Sequence, residues 1–141
     1  MSAGPRRLRP GLRSVRGRRL RPGLRPVRGR PSATEVVDDA RRRGMVPHLA
    51  RPAASKAELL DAVADALDFP AWTGRNWDAL ADSLADLSWL PAGPHVLVWS
   101  APERLRDADP AAYATAVEVM HAATRTSAGS ARPLTVLLVP G

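Results

Sequence analysis

The sequence predicts a small α/β domain in which helices alternate with short parallel strands. Residues 133–139 form an almost unbroken apolar run, which is typical of a strand covered on both faces. Residues 95–99 form a second, shorter apolar run. Segments with helix start signals and helical periodicity lie before and between these runs. The resulting order of strand, helices, strand, helix and strand is that of an α/β fold.

Charge divides the chain into two parts. The 141 residues carry a formal net charge of +7. Residues 1–31 contain 11 arginines and no acidic residue, whereas residues 32–141 contain 10 basic and 14 acidic residues, a net charge of −4. We therefore predict a tail over residues 1–31 and one folded domain over residues 32–141. Without cysteine, the chain has no disulfide scaffold, thiolate zinc site or cysteine nucleophile.

The predicted tail is an internal repeat. Residues 6–17 recur as residues 18–29 with one change, from Ser14 to Pro26. The repeat is rich in arginine and has few apolar residues to offset the entropy of ordering, so we expect it to be disordered. It lacks the apolar stretch of a secretory signal. Two interpretations stay open: an arm that binds nucleic-acid phosphates, and an extension from a tandem duplication with no binding role.

Capping signals mark the helices of the domain. N-cap residues predict helix starts at Ser32, Ser55, Asn76 and Asp109. The first helix is expected to end before Gly44, and the third to run from residue 77 to about 88. Residues 45–50 predict an edge or irregular strand, because Pro47 has no N–H to donate.

The third helix carries one acidic face. Its apolar side consists of Trp77, Leu80, Leu84 and Leu87, and its other side of Asp78, Ala81, Asp82, Ala85 and Asp86. Each like-charge pair four residues apart costs roughly 0.2–0.5 kcal/mol, and no basic residue stands three or four positions from Asp82 or Asp86. The spacing alone fits a solvated face, but the unfavourable repulsion also fits a face that meets a basic partner.

The loop before this helix favours the interpretation in which the acidic face meets a partner. Trp72 lies in a Pro/Gly loop outside any apolar periodicity, where an aromatic side chain either folds onto the core or anchors a contact. Gly74 is expected to take a positive φ before the Asn76 cap. A metal site is disfavoured because no histidine or carbonyl loop accompanies the carboxylates.

Enzymatic chemistry is disfavoured as well. The three histidines, His48, His95 and His121, stand apart from any nucleophile motif and are expected to be lone packing or surface residues. The chain has no glycine loop of the kind that cradles phosphate. A flat helix face also offers no cleft in which two carboxyl groups could acquire different pKa values.

Residues 67–84, LDFPAWTGRNWDALADSL, resemble the signature of the barstar family of intracellular ribonuclease inhibitors. An apolar residue and Pro, an aromatic loop, Gly-x-Asn-x-Asp-Ala-Leu and a second Asp follow at the family's spacing. The similarity is dense over residues 56–89 and looser over 45–139. It implies a small α/β domain with a three-stranded parallel sheet packed with helices.

The resemblance also implies a mechanism, in which the acidic helix and its loop plug a ribonuclease active site. Asp82 would be the buried hot spot, Asp78 a flanking charge and Trp72 the cover of the catalytic histidine. Gly74 and Asn76 would shape the loop. The expected partner-binding residues are Trp72, Gly74, Asn76, Asp78, Ala81, Asp82 and Asp86.

The sequence departs from the family's pattern at three places. The family usually has a second aromatic residue where Thr73 stands and often has one at the position of Ala81. In the later helix, the family's inhibitor has an acid near the position of residues 121–122, and the nearest acid here is Glu118.

The leading hypothesis is a cytoplasmic, monomeric and non-enzymatic inhibitor, or immunity protein, of a basic ribonuclease or ribonuclease-type toxin. It would form a 1:1 complex without cofactor, metal or membrane, as in a toxin–antitoxin pair. The alternative is a nucleic-acid-binding protein that acts through residues 1–31, with the acidic domain as a protein-interaction module.

Overall fold

A computed structural model describes residues 20–141, in which four strands and five helices form one α/β unit. The elements are β1 (Gly23–Pro26), α1 (Ala33–Arg42), β2 (Val46–Ala50), α2 (Lys56–Ala66), α3 (Trp77–Asp86), β3 (His95–Ser100), α4 (Glu103–Ala108), α5 (Pro110–Ser127) and β4 (Leu134–Val139). The strands pair in parallel in the order β1-β4-β3-β2. In this part of the chain, no helix is both long and apolar enough to span a bilayer.

Helices cover both faces of the sheet. On one face, Leu97 and Trp99 of β3 pack into the larger core with α2, α3, α4 and α5. On the other face, Val96 and Val98 pack under α1, against Val36 and its neighbours. Successive residues of β3 therefore supply two separate cores. This arrangement explains why the strand sequences are apolar without alternation, as predicted.

The expected three-stranded sheet is wrong in its strand count, because β1 adds a fourth strand. β1 lies inside the predicted tail and pairs with the outer edge of β4, where Val27 donates its N–H to the carbonyl of Leu138 at 3.1 Å. Leu24 packs against the larger core, and Leu20 and Val27 pack against the smaller one. Disorder is therefore the wrong prediction for residues 23–26, while residues 1–19 of the predicted tail lie outside the described part.

Local signals place most other elements correctly. The capping box at Ser32 is complete, and the first helix is followed by Gly44 at φ 75°. The third helix is shorter than expected, because Leu87 takes a left-handed conformation with φ 51° and closes the helix after Asp86. The short helix α4 was not predicted, since no side-chain cap marks its start.

Candidate partner-binding site

Packing against the core fixes which side of α3 meets solvent. The Asn76 side-chain oxygen accepts the N–H of Ala79 at 2.8 Å and so caps the helix. Leu80 and Leu84 are buried in the larger core. Trp77 is half-buried against the same core, with the Lys56 ammonium group 5.3 Å from the centre of its ring. The opposite side of the helix, which carries the aspartates, must therefore face outward.

The three aspartates of this side keep their charges available to a partner. Asp78, Asp82 and Asp86 are all exposed, and none of them forms an ion pair within residues 20–141. Asp86 accepts a hydrogen bond from the Ser88 hydroxyl at 3.0 Å. Cationic side chains pair instead with carboxylates elsewhere, as Arg51 does with Asp65 at 2.6 Å. The predicted acidic face therefore exists as an uncompensated surface.

A shallow groove of about 430 Å³ separates this face from α5. It is lined by Ala81, Asp82, Ala85, Glu118, Val119, Ala122, Ala123 and Thr126. The two small alanines of α3 leave the space open, so the place where the family often has an aromatic residue is a recess here. The groove brings Glu118 to the same surface as Asp82. The sequence indicated Glu118 only as the nearest acid in the later helix. Its proximity to Asp82 could not be predicted, because it depends on the packing of α3 on α5.

The loop before α3 presents Trp72 to solvent. Its side chain is 85% exposed, which excludes the alternative in which it folds onto the core. The loop is held to α2 by Arg75, which donates to the Asp61 carboxylate and to the Thr73 carbonyl, both at 3.0 Å. An exposed tryptophan on a loop fixed in this way is suited to contact a partner.

Gly74 has a different role from the one expected. Its φ is not positive, so the expected left-handed conformation is wrong. A Cβ atom at this position would lie 3.0 Å from the side-chain nitrogen of Asn76, which is tighter than ordinary contact. A side chain here would therefore require the Asn76 amide to shift by a few tenths of an ångström, so the position is constrained by close approach and not by backbone handedness.

The described residues include no group of three or more His, Asp or Glu side chains that could hold a metal ion.

The expectation of lone histidines is wrong for two of the three. His48 and His95 contact each other, with Nε2 of the first 2.9 Å from Nδ1 of the second. Burial and the charge of His95 lower the pKa of His48, against the opposing effects of the Ala66 carbonyl and Asp68. His121 is exposed on α5.

Comparison with known proteins places this geometry in one family. A family model described as Barstar (barnase inhibitor) matches residues 48–139, which run from β2 to the end of β4 and include the whole acidic face and the Trp72 loop. β1 and α1 precede the matched residues. A search of curated proteins finds no match. Since the family match covers more than half of the chain and agrees with its parallel α/β fold, the chain belongs to the barstar family.

Proposed function

We propose that this protein binds and blocks the active site of a basic ribonuclease with α3 and the loop before it. The observation that carries the proposal is the set of three exposed, unpaired carboxylates beside an 85% exposed tryptophan. Membership of a family described as barnase inhibitors supports it. The inhibitor would form a 1:1 complex and would not itself catalyse a reaction.

Charge and area would have separate roles in the complex. Ribonuclease active sites hold the scissile phosphate with cationic side chains, and carboxylates of α3 would take the place of substrate phosphates. Asp82 is central on the face and borders the groove, so its charge would be the most fully buried. Trp72 would supply a large aromatic contact, with Gly74 and Asn76 setting the loop. Asp78, Ala81 and Asp86 would complete the contact surface.

Glu118 would add to this surface from α5. It lines the same groove as Asp82, so a cationic side chain that enters the groove would meet two carboxylates. The recess at Ala81 would also accept a larger side chain than a filled surface could. We therefore expect the partner to place an arginine or lysine in this groove.

We further propose a cytoplasmic immunity protein within a toxin–antitoxin pair. A cell that makes a ribonuclease needs its inhibitor wherever the folded enzyme meets cellular RNA. The unneutralised acidic face would accelerate encounter with a basic enzyme and would repel nucleic acid. Both properties suit an inhibitor that must reach its target before RNA does.

The test is calorimetric titration of the full chain with a panel of basic ribonucleases, followed by RNA-cleavage assays. Asp82→Asn is expected to weaken the complex at least about 30-fold, the ratio that corresponds to a hot-spot loss of ~2 kcal/mol. The matched control is Asp38→Asn, which removes the same charge from an exposed helical position of α1 on the opposite face of the sheet. The control should stay within about twofold. Equal losses from both variants would contradict the proposed site.

A second candidate function is nucleic-acid binding by the arginine-rich segment. Arg21, Arg28 and Arg30 are exposed, and no ion pair within the described residues involves them. Replacing these three with Gln should weaken binding to a labelled single-stranded RNA and reduce its salt dependence. Arg41 and Arg42, which pair with Asp38 and Asp39, offer the control substitutions. RNA affinity that persists at full strength after deletion of residues 1–31 would exclude this candidate.

A further inference from the structure

The contact between His48 and His95 lies beside the end of α2, the helix that precedes the Trp72 loop. His48 is on β2 and His95 on β3, and the parallel register sets Val46 opposite His95 and His48 opposite Leu97. The two rings are therefore diagonal neighbours on one face of the sheet, meeting edge to edge with their centroids 5.1 Å apart and their planes inclined by 29°. His95 is 0% exposed and His48 is half-buried.

Backbone carbonyls occupy both outer ends of the pair. His48 Nδ1 lies 3.2 Å from the carbonyl oxygen of Ala66, and His95 Nε2 lies 2.8 Å from that of Pro91. A carbonyl oxygen only accepts, so each of these two nitrogens must carry a hydrogen for its contact to be a hydrogen bond. The central contact between the rings, at 2.9 Å, needs one more hydrogen.

The three contacts together require three hydrogens on the two rings. Two neutral imidazoles carry only two, because each neutral ring has one N–H. A neutral pair must leave one contact without a hydrogen. A doubly protonated pair carries four, which would set two N–H groups against each other at 2.9 Å and add two like charges. Only the singly protonated pair makes all three hydrogen bonds.

We infer that the His48–His95 pair is a binding site for one proton, and that this proton ties the end of α2 to the sheet. Ala66 is the last residue of α2, and Leu67 follows as its C-cap. The Ala66 contact is the longest of the three, so it is the one that the neutral pair gives up. Loss of the proton would then free the point at which the Trp72 loop begins.

Charged groups on both sides of the pair set its proton affinity. The Asp68 carboxylate, just after α2, favours the charged state of His48, whereas burial and a charge on His95 oppose it. On the other side, Arg132 donates to the carbonyl of Leu90 at 2.6 Å, next to Pro91. The position of Ala66 at a helix C-terminus favours a cation there. A second proton would meet the first at contact distance and is excluded.

A second set of contacts holds the residues that follow α2. The Trp89 indole N–H donates to the carbonyl of Leu67 at 2.9 Å, and the Phe69 and Trp89 rings meet edge to face at 5.6 Å. His48 thus contacts the last residue of α2, and Trp89 holds the residues that follow it. An effect of the proton on ribonuclease binding rests on the proposed function, but the proton site itself can be tested on the free chain.

The experiment is an NMR titration of the ¹⁵N-labelled full chain from pH 8 to pH 5. The imidazole nitrogens of His48 and His95 should together take up one proton, with one midpoint shared by both rings. Backbone amides of residues 66–72 should shift with that midpoint. His121, exposed on α5, is the internal control. Two rings that stay neutral, two rings that each gain a proton, or loop amides that do not follow would overturn the inference.

A pair of variants separates the proton site from the ribonuclease interface. In His48→Gln, which removes the site of the shared proton, the amides of residues 66–72 should lose their pH dependence. In the control His121→Gln, the one-proton titration of the pair and the pH dependence of the amides of residues 66–72 should persist unchanged. Neither measurement includes a ribonuclease, so a negative result here leaves the proposed function standing. Conversely, a chain that binds no ribonuclease can still show the one-proton titration.

Discussion

At the scale of single residues, the candidate site depends on a few side chains with unequal roles. Asp82 and Glu118 border one groove, Trp72 stands in solvent and Asn76 caps the helix that carries the aspartates. The first three would contact a partner, whereas the cap would act by holding the loop in place. Asn76 therefore allows a test that distinguishes loop geometry from stability.

Asn76→Ala should lower the free energy of unfolding by about 1 kcal/mol, because the N–H of Ala79 loses its acceptor. Ser32→Ala is the matched control, since it removes the N-cap of α1 on the other face of the sheet. Urea unfolding should give similar losses for both variants. Only Asn76→Ala should also weaken binding to the ribonuclease, and equal affinities of the two variants would contradict a loop role for Asn76.

At the scale of elements, β1 and α1 extend the fold beyond the residues that match the family. They precede residue 48, yet α1 covers the second face of the sheet and β1 covers the outer edge of β4. An exposed parallel edge next to a buried strand would offer unpaired N–H and C=O groups to other chains. We therefore expect β1 to contribute to stability and to solubility.

Two deletions test this contribution. Removing residues 1–19 should leave the free energy of unfolding nearly unchanged, since β1 stays intact. Removing residues 1–31 should lower it by about 2 kcal/mol or more, because Leu24 and Val27 lose their contacts with the two cores. Chemical denaturation followed by circular dichroism measures both. Equal stability of the two deletions would show that β1 is dispensable.

At the scale of the whole molecule, proton linkage makes stability depend on pH. The pKa of His48 in the folded chain is lowered by burial and by His95, whereas an unfolded histidine titrates near ~6.5. At His48 the unfolded chain therefore binds more protons than the folded chain below about pH 6.5, so this contribution to stability is fully present above that pH and is lost as the pH falls through the lowered pKa.

We expect the free energy of unfolding to fall by about 1.4 kcal/mol per pH unit for each proton that the two histidines bind in the unfolded chain but not in the folded chain. If the pair holds one proton of two, the slope below ~6.5 is that of a single proton. Urea unfolding at pH 7.5, 6.0 and 5.0 measures this slope. A free energy of unfolding that stays constant across this pH range would contradict the lowered proton affinity of His48 in the folded chain.

Charge is also separated across the molecule. Residues 20–47 contain seven arginines and three acidic residues, whereas residues 48–141 contain seven basic and eleven acidic residues. The acidic excess lies in the part that includes α3, so long-range attraction should guide a basic partner to that side. Stopped-flow association with a ribonuclease that binds should slow steeply as salt rises. An association rate that is independent of salt would argue against steering.

Local sequence patterns predict four of the five helices of the described residues, the buried strands and the acidic face. Caps such as Ser32 and Asn76, the glycine stop at Gly44 and the spacing of the aspartates all act between residues at most four positions apart. Local interactions of this kind can be inferred without knowing what packs against them. The family signature, residues 67–84, is also one contiguous stretch, so it can be recognised without knowledge of the fold.

Contacts between distant segments depend on how the whole chain packs. β1 is a strand because β4 offers it an open edge, although its own sequence resembles a disordered repeat. Glu118 joins the acidic surface because α3 packs on α5. His48 and His95 meet across 47 positions because parallel pairing of β2 and β3 sets their register. Packing and register depend on the whole chain, so no pattern within a few residues of these side chains could indicate them.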